Sequence, residues 1–473
     1  MGITEDLANF AINTQSGFLT PQLVNATKSM FLDTLALMVA GSRNRPGMIA
    51  LKTVSAWGGV PDTCVVGNNV RLPAPLAGFV NAVSAHSLEY DDNTLGVGHT
   101  SACMVPGCLA LAERLNLSGE QLIESFVMGF EIASRIGRGL KPHLLDRGWH
   151  SVGIVGGQGV AVAAGRMLGL DGMATRMAMG LVASSVSGVR KNVGSMGKAF
   201  HAGNAVRAAL FAANLAEQGY QVDPDIIEGS DESGEGHQRF GLADAFNGIG
   251  NYRLDEMVNR LGEGYALSRN ITVVRMYPGS TYMSAAIEGM LDLTQSHNIS
   301  PENVSSILLE CTPRTLAIAP YLEPFDSYRA KFCIPYTLAI ALIDRKITLA
   351  QYEKDRTEDA KVRALMKRVT VVVPDRLIQN RGSWGERVSN WAEASLTIRL
   401  NDGTTLTREC VHAKGWPEQP ATWDDLCGKF EECSHNIIAP GQVREIIRKV
   451  NELDDLPTIR QLTTLLGGEQ ASH

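Results

Sequence analysis

Two segments rich in glycine and alanine constrain the fold of this chain most. They read GIVGGQGVAVAAGRMLGL from Gly153 and GNAVRAALFAANLAEQGY from Gly203. Side chains this small allow helix axes to approach closely, so both segments predict helices inside a large helical core. A nucleotide-binding loop is the alternative for the first segment, but the third glycine of G-x-G-x-x-G is missing and no predicted strand precedes it.

Two further stretches in the first half of the chain have apolar residues at helical spacing. PQLVNATKSMFLDTLALMVAG ends on Gly41, and SGEQLIESFVMGFEIASRIGRGL opens with the capping-box pattern of Ser118 and Gln121. The first half of the chain is therefore predicted to be helical. A chain of 473 residues exceeds one ordinary core, so two domains are expected.

The residue pattern changes after about residue 265. Four runs rich in β-branched residues predict strands: NITVVRMYP, VSSILLECT, KRVTVVVPD and ASLTIRLNDGTTLTREC, the last a hairpin that turns on Asn401-Asp402-Gly403. Two predicted helices lie between them, and helical periodicity resumes near residue 420. We predict a mainly α protein with a large all-helical domain over residues 1–265, a smaller α+β domain over 266–415, and a return to the helical domain over 416–473. A cleft between two domains is the usual place for a ligand.

The net charge, the cysteines and the N-terminal residues argue against several classes of protein. A net charge of −7 argues against a surface that binds nucleic acid. The eight cysteines form no C-x-x-C pair and no zinc spacing, so reduced thiols are expected. The N-terminal residues lack the basic start and apolar run of a signal peptide, and no run of eighteen apolar residues is present. We therefore expect a cytoplasmic protein with no membrane partner.

Acidic residues and histidines concentrate at the end of the predicted helix LAGFVNAVSAHSLEYDD. His86 and Glu89 are three residues apart, so we predict that they share one helical face. The chain then leads towards His99 through three polar residues: Asp91, Asp92 and Asn93. One alternative is that the acids cap a following helix and that His99 lies on the surface. Another is a metal site formed by His86, Asp92 and His99, although their spacing matches no tight ligand motif.

Three basic residues lie near the starts of the two small-residue helices. RGWHSVGIVGG places His150 at the start of the first helix, and GSMGKAFHAGNAVRAAL places Lys198 and His201 just before the second. An ammonium group near the positive ends of helices suits a carboxylate or an enolate-like oxyanion. A single histidine at a helix start is more often structural, so the prediction of a site depends on these residues taken together.

Four segments resemble, in their order and spacing, the MmgE/PrpD family over nearly the whole chain. They are NAVSAHSLEYDDNTLGVGHTS, RGWHSVGIVGGQGVAVAAGRMLGL, GSMGKAFHAGNAVRAALFAANLAEQGY and RAKFCIPYTLAIAL. The resemblance implies a helical domain with a smaller α+β lid domain, a homodimer, and no metal or organic cofactor. Members of this family include 2-methylcitrate dehydratase, cis-aconitate decarboxylase and iminodisuccinate epimerase. They share the handling of a proton alpha to a carboxylate on a small di- or tricarboxylate.

The resemblance also implies which residues form the site. The pocket of decarboxylase-like members matches four candidate catalytic residues: His99, His150, Lys198 and Tyr336. The two histidines are expected to act as acid and base, the lysine to bind the carboxylate or oxyanion, and the tyrosine to donate a proton or hydrogen bond from the lid. Four further residues are expected to contact the substrate: Glu89, Asn93, His201 and Ser284. Asp91 and Asp92 are expected to hold the chain and orient His99.

Four positions depart from the family pattern, and one of them is Thr100, because the usual His-Pro-Ser reads His99-Thr100-Ser101 here. Decarboxylase-like members have Asp in place of Glu89 and Thr in place of Asn93, and many members carry His in place of Ser284. These differences change the size and charge of the predicted pocket. The resemblance implies a lyase that dehydrates or decarboxylates a citrate- or aconitate-like acid. An epimerase that uses two bases on an iminodisuccinate-like dicarboxylate is the alternative, and a non-catalytic metabolite-binding protein is a third possibility.

Overall fold

The computed structural model describes residues 2–141, 143–229, 239–269, 271–324, 326–380 and 391–467. The chain divides into two compact units. Unit 1 comprises Met1–Thr272 and Thr422–His473, and unit 2 comprises Val273–Ala421. Unit 1 is therefore built from both ends of the chain, and unit 2 is one continuous segment.

The first segment of unit 1 is almost entirely helical. Its elements are α1 (Ile3–Asn13), α2 (Pro21–Gly41), α3 (Arg45–Ser55), β1 (Thr63–Val65), β2 (Val70–Leu72), α4 (Ala74–His86), β3 (Asn93–Thr94), α5 (Ser101–Leu115), α6 (Gly119–Gly139), α7 (His143–Asp146), α8 (Ser151–Leu168), α9 (Gly172–Ser185), α10 (Gly197–Glu217), α11 (Leu242–Asn247) and α12 (Asp255–Val258). The short strand β4 (Thr272–Val273) contains the last residue of this segment and the first residue of unit 2. The predicted capping box is confirmed, because Gln121 N donates to Ser118 Oγ over 3.2 Å and Ser118 N donates to Gln121 Oε1 over 3.0 Å.

Unit 2 combines a sheet with helices. Its elements are α13 (Ser284–Ser296), β5 (Val304–Cys311), α14 (Pro313–Ile318), α15 (Ser327–Ala330), α16 (Ile334–Asp344), α17 (Lys354–Thr357), α18 (Ala360–Met366), β6 (Val369–Val372), α19 (Asp375–Ile378), β7 (Ala394–Leu400) and β8 (Thr405–Cys410). The strand order is β6-β5-β7-β8, with β6 parallel to β5 and the other pairs antiparallel. The predicted hairpin is confirmed: β7 and β8 pair on either side of Asn401-Asp402-Gly403, and Gly403 takes a φ of 91°.

The last segment of the chain returns to unit 1 as three helices: α20 (Trp423–Ser434), α21 (Pro440–Asn451) and α22 (Arg460–Thr463). Helix α20 packs against α2. The predicted mainly α class is confirmed. All eight cysteines are free thiols, as predicted.

Helices α6 and α8 approach closely enough for their backbones to touch. A Cβ atom built on Gly159 would lie 2.7 Å from the carbonyl oxygen of Gly129, and one built on Gly129 would lie 2.4 Å from that of Gly159. Neither position has room for a side chain, since real Cβ atoms keep well beyond 3 Å from such neighbours. The prediction that small residues allow close helix packing is confirmed.

Helices α2 and α8 are long and apolar enough to cross a membrane by length and composition. Within the protein, 72% of the apolar window of α2 and 83% of that of α8 are buried. Neither segment contains eighteen consecutive apolar residues. Because buried core helices have the same composition, we interpret both as core helices of unit 1.

Candidate functional site

Helix α4 carries His86 as its last residue. The chain then turns sharply: Glu89 has a left-handed φ of 57°, which is uncommon for a residue other than glycine. The predicted helical face shared by His86 and Glu89 is therefore wrong, because the helix ends before Glu89 and the left-handed turn redirects the backbone. We call residues 86–99 the acid–histidine segment.

Asp91 connects two histidines of this segment. Its Oδ2 atom lies 2.7 Å from His86 Nδ1 and 2.9 Å from His99 Nδ1. His99 Nδ1 also lies 2.8 Å from the backbone carbonyl oxygen of Asp92. Because both of these neighbours are acceptors, His99 Nδ1 carries a proton, and Nε2 holds the lone pair whenever the ring is neutral. The contact agrees with the expectation that Asp91 orients His99.

Burial and neighbouring charges set the protonation of Asp91 and His86. Burial acts to raise the pKa of Asp91, but His99, His86 and Lys198 outweigh it and hold that pKa well below its usual range. Burial lowers the pKa of His86 to about 4, and the charge of Lys198 adds to this effect. Asp91 is therefore an anion and His86 a neutral ring near neutral pH. Within the described part of the chain, buried His86 Nε2 has no hydrogen-bond partner.

Asp92 holds the segment against the start of α5. Its Oδ1 accepts a hydrogen bond from Ser101 N and its Oδ2 accepts one from Thr94 Oγ1, each over 3.1 Å. Complete burial raises the pKa of Asp92 to about 8, and the negative charges of Asp91 and Asp33 add to the shift. These contacts agree with the expected structural role of Asp92.

Lys198 forms a buried ion pair with Glu89. The Nζ–Oε2 distance is 2.6 Å, and the two side chains are 3% and 5% exposed. Helix α10 begins at Gly197, so the prediction that Lys198 and His201 precede this helix is wrong: its glycine-rich first turns are already helical. The positive end of a helix is unfavourable for a cation, and the carboxylate of Glu89 offsets that repulsion. An ammonium group has three donors, which leaves Lys198 able to bind a second carboxylate.

His150 and His201 form a second imidazole pair. His150 occupies the N-cap position of α8, and its Nδ1 lies 3.0 Å from Nδ1 of His201, so one ring donates and the other accepts. Burial lowers the pKa of both rings, and Lys198 adds to each shift. The rings of His150 and His86 stack with their centroids 5.5 Å apart, and those of His86 and His99 lie 4.8 Å apart. Four imidazoles therefore form one continuous cluster.

Of the three remaining predicted site residues, one lies in the acid–histidine segment and two lie in unit 2. Asn93 is half-buried in β3 of unit 1. Tyr336 and Ser284 are buried in unit 2, on α16 and at the start of α13. The Tyr336 hydroxyl donates to the carbonyl oxygen of Gln351, and burial raises its pKa. The predicted catalytic role of Tyr336 and the predicted substrate contacts of Asn93 and Ser284 stay predictions.

Two charged residues beside the segment were missed by the sequence analysis. Asp33 lies within apolar α2 and forms an ion pair with Lys429 of α20, and both side chains are 1% exposed. A charge inside an otherwise apolar helix is rarely buried without a partner, and this was the available signal for Asp33. Nothing in the sequence of α20 distinguished Lys429 from a surface lysine.

Three potential metal ligands also meet in the segment. The ligand atoms of His86, Asp91 and His99 lie within 4.8 Å of one another. The alternative metal site formed by His86, Asp92 and His99 differs from this group, which contains Asp91 in place of Asp92. In this arrangement both Nδ1 atoms already share the carboxylate of Asp91. The prediction of a site that needs no metal or cofactor stays a prediction.

These residues form a candidate acid–base site in a mainly helical protein. The pattern of the MmgE/PrpD N-terminal domain matches residues 5–240, and that of the MmgE/PrpD C-terminal domain matches residues 277–455. The chain therefore belongs to the MmgE/PrpD family, as the sequence motifs predicted.

Curated relatives match over nearly the full length. The chain is 27% identical to the cis-aconitate decarboxylase of Homo sapiens over 477 aligned residues, which cover 98% of this chain and 95% of the relative. It is 24% identical to the cis-aconitate decarboxylase of Aspergillus terreus (strain NIH 2624 / FGSC A1156), with 98% and 96% covered. A shorter match of 153 residues, 26% identical, links it to the 2-methylcitrate dehydratase of Cupriavidus necator and covers 31% of each chain.

Proposed function

We propose that this protein is a lyase that acts on a small di- or tricarboxylate at the carbon alpha to a carboxylate. The observation that carries the proposal is the buried cluster in which Lys198 lies with the imidazoles of His86, His99 and His150. Relatives named as decarboxylases and a dehydratase support lyase chemistry. A citrate- or aconitate-like acid is the proposed substrate class.

A bound carboxylate would change the charge balance of this cluster. Near neutral pH the rings of His86, His150 and His201 are neutral, because burial and Lys198 lower their pKa values. Negative charge from a substrate favours the protonated rings, so we expect proton uptake on binding. Lys198 binds one carboxylate of the substrate while Glu89 holds its ammonium in place.

The reaction then uses the lone pair of His99. Asp91 and the Asp92 carbonyl keep the proton on Nδ1, so Nε2 is the atom that takes the proton alpha to the carboxylate. Lys198 stabilises the resulting enediolate. In a dehydration, the neighbouring hydroxyl leaves as water with a proton from a protonated ring such as His150. In a decarboxylation no alpha proton is removed: a carboxylate leaves as carbon dioxide, the electron pair of the broken bond stays on the alpha carbon, and the resulting carbanion takes a proton from a protonated ring.

The remaining features of the proposal come from the family resemblance. Unit 2 is proposed to act as the α+β lid domain, with Tyr336 as a donor and Ser284 as a substrate contact. Asn93 and His201 are proposed to line the substrate site of unit 1. A homodimer and a cytoplasmic location stay predictions.

The test incubates the purified protein in heavy water with citrate-like, aconitate-like and iminodisuccinate-like acids and follows each acid by proton NMR. Release of water or carbon dioxide from one of them is the expected result. Exchange of the alpha proton or inversion without net product would assign the epimerase alternative instead. Tight binding with neither exchange nor product would indicate a metabolite-binding protein. Lys198→Ala serves as the inactive control.

A further inference from the structure

Lys429 contacts the acid–histidine segment from the last part of the chain. It lies on α20, and its ammonium donates to the carbonyl oxygen of Tyr90 over 2.9 Å. The same Nζ atom lies 3.8 Å from the centroid of the Tyr90 ring and 2.6 Å from Oδ1 of Asp33 on α2. Both the backbone and the side chain of Tyr90 are therefore held by one buried cation.

Tyr90 stands between the two acids that contact the proposed catalytic groups. Glu89 precedes it and pairs with Lys198, whereas Asp91 follows it and binds His86 and His99. The backbone of Glu89 is left-handed, with a φ of 57°. A residue other than glycine keeps this conformation only where its surroundings enforce it. The hydrogen bond from Lys429 to the next carbonyl is such a constraint.

We infer that Lys429 is a positioning residue of the proposed site, an inference that rests on the proposed lyase function. By fixing Tyr90, Lys429 directs Glu89 towards Lys198 and Asp91 towards the two histidines. Asp33 holds the ammonium in this place through the buried ion pair. The contacts of Lys429 that carry this inference are those with Tyr90 and Asp33, and no contact between Lys429 and substrate is proposed.

The variant used in the test must remove the contact between Lys429 and Tyr90 without unfolding the protein. Lys429→Met alone leaves the Asp33 carboxylate buried without its cation, which is strongly destabilising. The double variant Asp33→Asn/Lys429→Met removes both charges and keeps similar volumes, so it is expected to fold. Lys28→Met is the matched control: Lys28 lies on α2 and pairs with Asp454 of the C-terminal return over 2.5 Å, but, unlike Lys429, it has no described contact with the acid–histidine segment.

Two measurements are compared among wild type, the double variant and Lys28→Met. The first is kcat/KM on the acid turned over by wild type, which we expect to fall about 10- to 100-fold in the double variant, because a small misplacement of catalytic groups has effects of that size. The second is amide hydrogen exchange by mass spectrometry, which we expect to accelerate about 10-fold or more in residues 88–99 and to remain unchanged in α10. Lys28→Met should match wild type in both.

Wild-type rates and wild-type exchange in a folded double variant would overturn the positioning role. An equal loss in the Lys28→Met control would also overturn it, since any broken ion pair would then have the same effect. If wild type turns over none of the acids, the proposed function fails, and the exchange of residues 88–99 alone decides whether Lys429 holds the segment.

Discussion

At the scale of single residues, two adjacent carboxyl groups have pKa values displaced in opposite directions. Asp91 faces His86, His99 and Lys198, which outweigh its burial and keep it ionised. Asp92 faces a backbone N–H and a hydroxyl, and burial with two nearby carboxylates raises its pKa to about 8. A pair of titratable groups displaced in this way is typical of acid–base sites. Asp91 is thus suited to orient the histidines, and Asp92 to support the chain.

Lys198→Ala is expected to reduce turnover on the order of 100- to 1000-fold, because one lost contact to a developing oxyanion has an effect of that size. The turnover of the variant and of the wild type is measured by steady-state kinetics on the acid identified by NMR. The substitution also leaves Glu89 buried without its cation. The double variant Lys198→Ala/Glu89→Gln should therefore recover thermal stability but not activity. A loss below about fivefold in the single variant would remove Lys198 from the site.

Asp91→Asn is expected to lower kcat on the order of 100-fold, because the amide carries no charge and binds the two Nδ1–H groups more weakly. This one carboxylate contacts Nδ1 of both His86 and His99. Glu89→Gln, which leaves Lys198 with a neutral partner, should mainly change KM. The two variants are compared by full kinetics. If Asp91→Asn changes only the melting temperature, Asp91 serves the fold and not the histidines.

At the scale of secondary-structure elements, the close packing of α6 on α8 leaves no room for side chains at their crossing. Gly159→Ala is expected to destabilise the protein by about 1–3 kcal/mol, because the new methyl group would overlap the carbonyl oxygen of Gly129 and the side chains of Ala133 and Met104. A decrease of the denaturation midpoint in urea measures the effect.

Gly428 provides the matched control for this substitution. It lies inside α20, and a Cβ atom there would meet nothing within 4 Å. Gly428→Ala should therefore stabilise the protein slightly, by about 0.4–1 kcal/mol, through reduced freedom of the unfolded chain. Equal effects of the two substitutions would show that the crossing of α6 and α8 is looser than described.

At the scale of the whole molecule, the buried groups make folding stability depend on pH. Asp92 has a pKa of about 8 in place of 3.8, so between these values the folded protein binds more protons than the unfolded chain, and stability falls as the pH rises. His86 has a pKa of about 4 in place of 6.5, so between these values the unfolded chain binds more protons than the folded protein. The contribution of His86 to folding stability therefore rises with pH from about 4 to 6.5. Below pH 6.5 the effects of Asp92 and His86 on folding stability oppose each other, and above pH 6.5 only the decrease due to Asp92 remains of the two.

We therefore expect the free energy of unfolding to decrease between pH 6.5 and about 8, by at most about 1.4 kcal/mol per pH unit. Asp92→Asn should remove most of this slope, because the amide keeps the acceptor for Ser101 N but cannot ionise. Urea denaturation at several pH values measures the free energy of unfolding of the wild type and of Asp92→Asn. The same slope in the variant would assign the dependence to another group.

The sequence by itself determined the features that depend on neighbouring residues. The bounds of α2, the capping box of α6 and the Asn401-Asp402-Gly403 hairpin follow from local hydrogen bonding and backbone preference, and all are observed. The close packing at Gly159 follows from side-chain size. The family motifs identified Lys198 and the histidines as the residues to examine, and the structure brings those of unit 1 together.

Only the tertiary structure decided which acid meets which base. The partners are far apart in sequence: Glu89 and Lys198 are separated by 109 positions, and Tyr90 and Lys429 by 339. After α4 has ended at His86, the left-handed backbone of Glu89 redirects the chain and sends consecutive side chains to different partners. Local propensity does not specify such a turn for a glutamate, because it costs energy that contacts from distant segments must offset.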